Sequence, residues 1–218
     1  MYELKLIKAV EKMPVFSLAD ISKITNSRSY AKKLIARLVR QETVKKIMRD
    51  AYTVHDDQFL IGPFIYMPSY ISCASALQYY GLITQIPNAV FLMTKKRHKT
   101  ITNNFNLIYH NTKNYFGFKI IDYKGIKLPI AEPEKAFIDS IGIHPIHLIL
   151  ESLEELNPEK LIFYAKKTKE MKRIGYLLEK NNSSVKTQKN ISHKYIYLDP
   201  LGPKKGRKDK KWKLIVNS

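Results

Sequence analysis

The sequence is poor in the residues that build cross-links, metal cages and catalytic loops. Cys73 is its one cysteine, which excludes an internal disulfide and any zinc site built from paired cysteines. The glycines at 62, 81, 117, 125, 142, 175, 202 and 206 form neither a G-x-G-x-x-G dinucleotide loop nor a P-loop. No G-x-S-x-G elbow is present. No run approaches the roughly 20 apolar residues of a spanning helix, and the opening Met1-Tyr2-Glu3-Leu4-Lys5 lacks the basic-then-apolar pattern of a secretory leader. These absences lead to the expectation of a cytoplasmic protein with no membrane partner. Acids are scarce as well: nineteen Asp and Glu face thirty-eight Lys and Arg, a formal net charge of +19. Such an excess favours polyanionic partners, because each phosphate neutralised releases condensed counterions.

What is present begins with three helical patterns. Over Glu3 to Met13, Leu6, Val10 and Met13 share a face, with Leu4 and Ile7 beside it, and Pro14 ends the pattern. Ser17 and Asp20 have the spacing of a capping box, and Phe16 and Ile21 that of a hydrophobic staple, opening a helix to about Thr25. After the turn Asn26-Ser27-Arg28, a third helix is predicted from Ser29 to Arg40, with Ala31, Leu34, Ile35 and Leu38 as its apolar stripe. At 100° per residue the opposite face carries Ser29, Lys33, Ala36, Arg37 and Arg40, with Tyr30 at its edge. No acid occurs between Asn26 and Arg40, whereas a solubilising face normally mixes signs.

That pattern predicts a DNA-reading helix. Lys33 and Arg37 suit guanine O6 and N7, Ala36 permits close approach and contact with a thymine methyl, and Ser29 or Tyr30 can bond to a base or phosphate. Ser27, Arg28, Lys32 and Arg40 are placed for phosphates and the turn. Two strand-like pieces follow, Thr43 to Met48 and Ala51 to Val54, joined at Arg49-Asp50. They read as a wing that carries Lys45, Lys46 and Arg49 toward the backbone or minor groove. Residues 1–57 are therefore expected to form a winged helix-turn-helix that binds double-stranded DNA.

Residues 58–218 read as a larger α+β domain with mixed helices and strands. Helices are expected over Ser72 to Tyr80, from Glu132, over Ile146 to Leu156 and over Pro158 to Lys180. Strands are expected over Ala89 to Thr94, Asn106 to Tyr109, Gly117 to Tyr123, Ile126 to Ile130, Tyr195 to Leu198 and Trp212 to Val216. Basic runs occupy Lys95 to Lys99 and Lys204 to Lys213. The second is either a further phosphate-contacting segment or a solvated loop between two strands.

Catalytic constellations are few. Cys73 reads as a small buried hydrophobe, and His144 and His147, one helical turn apart around Pro145, read as packing or surface residues and not as metal ligands. Asp122 with Glu132, Glu134 and Lys135 is the sharpest enzyme pattern, that of a metal-dependent nuclease. Glu134 and Lys135 are adjacent, however, so the expectation is helix capping plus a surface pair. No catalytic residue, metal or cofactor is expected. An RNA-binding module is a third reading, since charge alone does not separate the nucleic acids.

A series of motifs in order resembles one family. The motifs are Tyr70-Ile71-Ser72-Cys73-Ala74-Ser75-Ala76-Leu77 leading to Tyr80-Gly81-Leu82, Pro87-Asn88-Ala89-Val90-Phe91, and Thr94-Lys95-Lys96-Arg97. They continue with Ile130-Ala131-Glu132-Pro133-Glu134-Lys135-Ala136-Phe137-Ile138-Asp139, Arg173-Ile174-Gly175-Tyr176-Leu177-Leu178-Glu179, and Leu198-Asp199-Pro200 with Trp212. They are similar to those of AbiEi-type antitoxins, transcriptional regulators of viral defence systems. Ala51 departs from that pattern, standing where a glycine usually precedes the wing tyrosine. The resemblance implies a repressor that binds inverted repeats in its own promoter. It also implies a nucleotidyltransferase-like toxin as functional partner, countered without a stable complex.

Overall fold

The computed structural model describes residues 2–98, 100–101, 105–181 and 192–217, with side chains from Leu6 onward. Lys99, the end of the first basic run, and Leu4 as a packing side chain lie outside what is described. The chain is mixed α+β and divides into two compact units, each assembled from separate segments. One comprises Met1–Ile71, Asn88–Asn111 and Ile120–Pro129, and the other Ser72–Pro87, Thr112–Lys119 and Ile130–Ser218.

The first unit opens with helices α1 (Tyr2–Val10), α2 (Leu18–Thr25) and α3 (Arg28–Arg40), then an antiparallel hairpin, β1 (Lys45–Met48) and β2 (Ala51–Thr53). The α1 helix ends three residues before the predicted Met13, because Pro14 withholds the ring-free N–H and helical φ/ψ of its predecessor that another turn needs. Leu6, Val10, Phe16, Ile21, Ala31, Leu34, Ile35, Leu38 and Val44 are buried together in one core, with Met13, Leu18, Ile24, Tyr52 and Val54 packed on it. All four residues of the α3 stripe are therefore inside. Next come α4 (Gln58–Ile65), capped by Asp57, then β3 (Ser69–Ile71).

The helix that follows, α5 (Cys73–Tyr79), stops at Gly81, whose φ of +72° ends the helical path. Strands β4 (Val90–Thr94), β5 (Leu107–Asn111), β6 (Phe118–Tyr123) and β7 (Ile126–Ala131) complete a five-stranded sheet of order β5-β4-β3-β7-β6. Between β6 and β7, Lys124 and Gly125 both take positive φ, 53° and 79°, the left-handed pair that a two-residue hairpin turn requires.

The second unit adds α6 (Pro133–Ser140), with Pro133 in its first turn, then α7 (Pro158–Thr168) and α8 (Met171–Lys180). Two sequence expectations change here. Ile146 to Glu154 forms two short 3₁₀ helices instead of an α-helix. The pattern from Pro158 to Lys180 is two helices, broken where Lys169 turns left-handed at φ 66°. The basic run is not a plain loop either. Its Arg207–Asp209 segment is strand β9, between β8 (Ile196–Tyr197) and β10 (Leu214–Val216) in sequence, in a three-stranded sheet of order β8-β10-β9.

Trp212 is nearly fully buried, and α8 accommodates it by having no side chain at Gly175. A Cβ there would lie 2.1 Å from the indole ring. The indole N–H donates to Glu179 Oε2 at 2.6 Å, one turn further along the same helix. Neither partner can move without breaking the other contact. Gly175→Ala is therefore expected to cost about 1–3 kcal/mol through overpacking, despite the better helix propensity of alanine. Urea denaturation followed by the emission of Trp212, the one tryptophan in the chain, checks this. An unchanged midpoint would refute the packing account.

Candidate nucleic-acid interface

The geometry of the interface is set at the two helix starts. Ser17 caps α2 with both arms of the capping box made: the Asp20 backbone N–H donates to Ser17 Oγ at 3.3 Å, and the Ser17 N–H donates to Asp20 Oδ2 at 2.9 Å. Asn26 follows α2 in the left-handed region, φ 53°, a conformation asparagine tolerates better than most residues. It turns the chain so that Ser27 becomes the cap of α3, accepting from the Tyr30 N–H at 3.3 Å. The predicted helix thus begins one residue earlier, at Arg28, and Ser27 has a structural duty as well as its place in the candidate interface.

On α3 the stripe Ala31, Leu34, Ile35 and Leu38 is buried, while Arg28, Ser29, Tyr30, Lys32, Lys33, Ala36, Arg37 and Arg40 are exposed. Tyr30 keeps 44% of its surface in solvent. The first turn holds no acid and the last holds Arg37 and Arg40, so the helix presents an unbroken positive face.

The hairpin is fastened to the segment before and at the start of α2, where the Thr53 hydroxyl donates to the Pro14 carbonyl at 2.8 Å and two further contacts are made. Phe16 and Tyr52 exchange backbone bonds of 2.9 Å each, and their rings stack at 6.1 Å. Asp50, at φ 58° in the β1–β2 turn, accepts the Leu18 N–H on its carboxylate at 2.9 Å. The turn lacks glycine, yet closes because an aspartate tolerates the left-handed position. This bond joins the hairpin tip to the start of α2. It was not readable from the sequence because its partners stand 32 residues apart. Lys46 and Arg49 are exposed on the hairpin. Lys45 is partly covered and forms an ion pair with Asp56, so it offers less free charge to a phosphate than its neighbours.

No family model matches the sequence, and no curated protein is similar to it. Among solved structures, the chain is similar in fold to the RV2827C protein from Mycobacterium tuberculosis. The TM-score is 0.64 over 98% of this chain and 90% of that one, at 10% identity. The likeness is one of fold alone.

The residues of the nuclease pattern have structural partners. Asp122 lies near the end of β6 and accepts the Gly125 N–H at 3.0 Å. Glu132 accepts from the Tyr164 hydroxyl and pairs with Lys160 at 3.0 Å. Glu134 accepts the Asn157 N–H at 3.2 Å. The expected surface pair is corrected: Glu134 is 6% exposed and Lys135 fully buried. Lys135 pairs one turn along α6 with Asp139, which also accepts from the Ser72 hydroxyl at 2.8 Å. Position in a first turn suggested solvent, but a short helix packed on both sides buries even its charges when each finds a partner.

Cys73 is fully buried, and burial pushes its thiol well above the ordinary range, away from nucleophilic character. His147 is exposed and His144 half-buried, and Pro145 between them is extended, so they share no helical face. No helix among the described residues is long and apolar enough to cross a membrane.

The Ser17 hydroxyl and N–H hold the Asp20 carboxyl below its ordinary value of 3.8. A lowered carboxyl stabilises the folded state above that value, and the contribution fades as pH falls through the folded pKa. Ser17→Ala is expected to cost about 1 kcal/mol at neutral pH. The gap from the parent should narrow in acid below the ordinary value. Chemical denaturation at several pH values measures both; a pH-independent gap would exclude the bond from the Ser17 hydroxyl to the Asp20 carboxylate as a source of stability.

Proposed function

We propose that this protein is a DNA-binding transcriptional repressor and the antitoxin of a nucleotidyltransferase-type toxin–antitoxin pair. In this reading residues 1–57 are a winged helix-turn-helix. The α2–α3 pair is the helix-turn-helix, α3 the recognition helix and β1–β2 the wing. The observation that carries it is the outer face of α3, with five cations and no acid from Asn26 to Arg40, held outward by a fully buried opposite stripe. The short turn at Asn26-Ser27 and the hairpin directly after α3 are the neighbours such a helix has in DNA readers.

The assignment of roles follows from reach and charge. Ser29, Lys33, Ala36 and Arg37 lie along the middle of the exposed face and contact base edges. Ser27, Arg28, Lys32 and Arg40 flank it and contact phosphates, and Tyr30 at the edge bonds to a phosphate or base. Lys46 and Arg49 extend the contact onto the flanking backbone, with Lys45 a lesser contributor because Asp56 already neutralises it. The antitoxin role rests on the resemblance of the ordered motifs to the AbiEi-type family. It makes the target the inverted repeats of the protein's own promoter and requires no catalytic residue, metal or cofactor.

Gel shifts with the promoter duplex and a scrambled duplex test the reading. Lys33→Ala with Arg37→Ala is expected to reduce discrimination between them about 10- to 100-fold, the scale of one or two lost base contacts. Lys46→Ala with Arg49→Ala should weaken both duplexes alike and lower the salt slope by about 2. Undiminished discrimination in the first pair would remove α3 as the reading helix. For the antitoxin role, this chain supplied in trans should relieve growth arrest by the nucleotidyltransferase-like product of an adjoining gene without co-purifying with it. Persistent arrest would restrict the function to repression or less.

A further inference from the structure

The carboxy-terminal sheet carries a second surface with a different chemistry. In its register Tyr197 is opposite Ile215, and Ile215 is opposite Lys208, so these three side chains form one row on one face. Leu214, fully buried, belongs to the other face with Ile196 and Asp209. Tyr195, two residues before Tyr197, falls on the same side as Tyr197.

Cations gather at these two rings. The Lys204 ammonium lies 4.9 Å from the Tyr197 ring centroid, and those of Lys208 and Lys213 each lie 5.7 Å from that of Tyr195. Lys204, Lys205, Arg207, Lys208 and Lys210 are exposed. The lone acid from Lys204 to Lys213 is Asp209. It is turned to the other face, where its carboxylate accepts the Trp212 N–H at 2.8 Å. The tyrosine face thus carries cations and not the one acid of this segment.

We propose that this face binds single-stranded nucleic acid, with Tyr195 and Tyr197 stacking on bases and the surrounding lysines following the backbone. A sheet that displays aromatic rings among cations is a known solution for unpaired bases, whose flat faces are free. In a duplex those faces are closed against one another, so a duplex would use the cations and gain nothing from the rings. Replacing each lysine–tyrosine contact by a phosphate pair and a stacked base leaves every charge partnered. This site lies in the second compact unit and its argument uses no residue of α3, so it stands or falls apart from the repressor reading.

The test is fluorescence anisotropy of the full-length chain with labelled oligothymidylate and oligouridylate of about 12 nucleotides, beside a mixed-sequence duplex. Binding of either single strand at low salt is expected. Tyr195→Leu with Tyr197→Leu, which keeps apolar bulk but removes the rings, should weaken that binding about tenfold or more and change duplex binding less than about twofold. Tyr195→Phe with Tyr197→Phe, which keeps the rings, should restore single-strand affinity. The pair Lys46→Ala with Arg49→Ala should do the reverse, weakening the duplex and sparing the single strand. The proposal is overturned if neither oligomer binds, if the leucine pair binds single strands as well as the parent, or if it loses duplex and single strand equally.

Discussion

The first fifty residues depend on the burial of one narrow stripe. Ala31, Leu34, Ile35 and Leu38 are each at most 4% exposed, and a helix is rigid about its axis, so fixing that stripe fixes the azimuth of every other α3 side chain. Rotation by one residue, about 100°, would expose Leu34 and Leu38 and draw Lys33 or Arg37 inward. Burying a leucine stabilises by about 2 kcal/mol, and burying an unpaired cation costs several. Both effects oppose rotation. The positive face is therefore as well defined as the core behind it.

Sequence periodicity was sufficient for this part because the information is local. The capping box at Ser17 and Asp20, the staple at Phe16 and Ile21, and the stripe of α3 all involve partners within a few residues, and all three are present in the structure. The same applies to the α+β class and most strand positions, such as Val90–Thr94 and Ile126–Ala131. The Asp50–Leu18 bond and the Phe16–Tyr52 bridge lie beyond such reasoning. They depend on how three helices bring distant segments together, which no window of sequence contains.

Charged residues were the less legible class. Glu134 and Lys135 occupy the first turn of a helix, where spacing alone favours solvent, yet they are buried. Lys135 can be buried because Asp139 lies one turn below it and Ser72 supplies a further hydrogen bond to that carboxylate. An i, i+4 Lys–Asp pair looks identical in sequence whether it lies on a surface or inside. What separates the two cases is the packing of neighbouring elements around α6, a tertiary fact. For the opposite reason Lys45 read as a free cation: its partner Asp56 lies beyond the hairpin and outside the strand pattern that placed Lys45.

The net charge of +19 acquires a different meaning once its residues are placed. A uniform excess would attract any polyanion weakly and without preference. Here the cations of α3 stand on a helix whose sequence has no acid and one aromatic residue, Tyr30. Those of the carboxy-terminal sheet stand over Tyr195 and Tyr197. A bare positive helix complements a groove lined with phosphates and base edges, whereas rings interleaved with ammonium groups complement bases that have left the stack. The arrangement of aromatic residues, and not the amount of charge, is what distinguishes the two proposed surfaces.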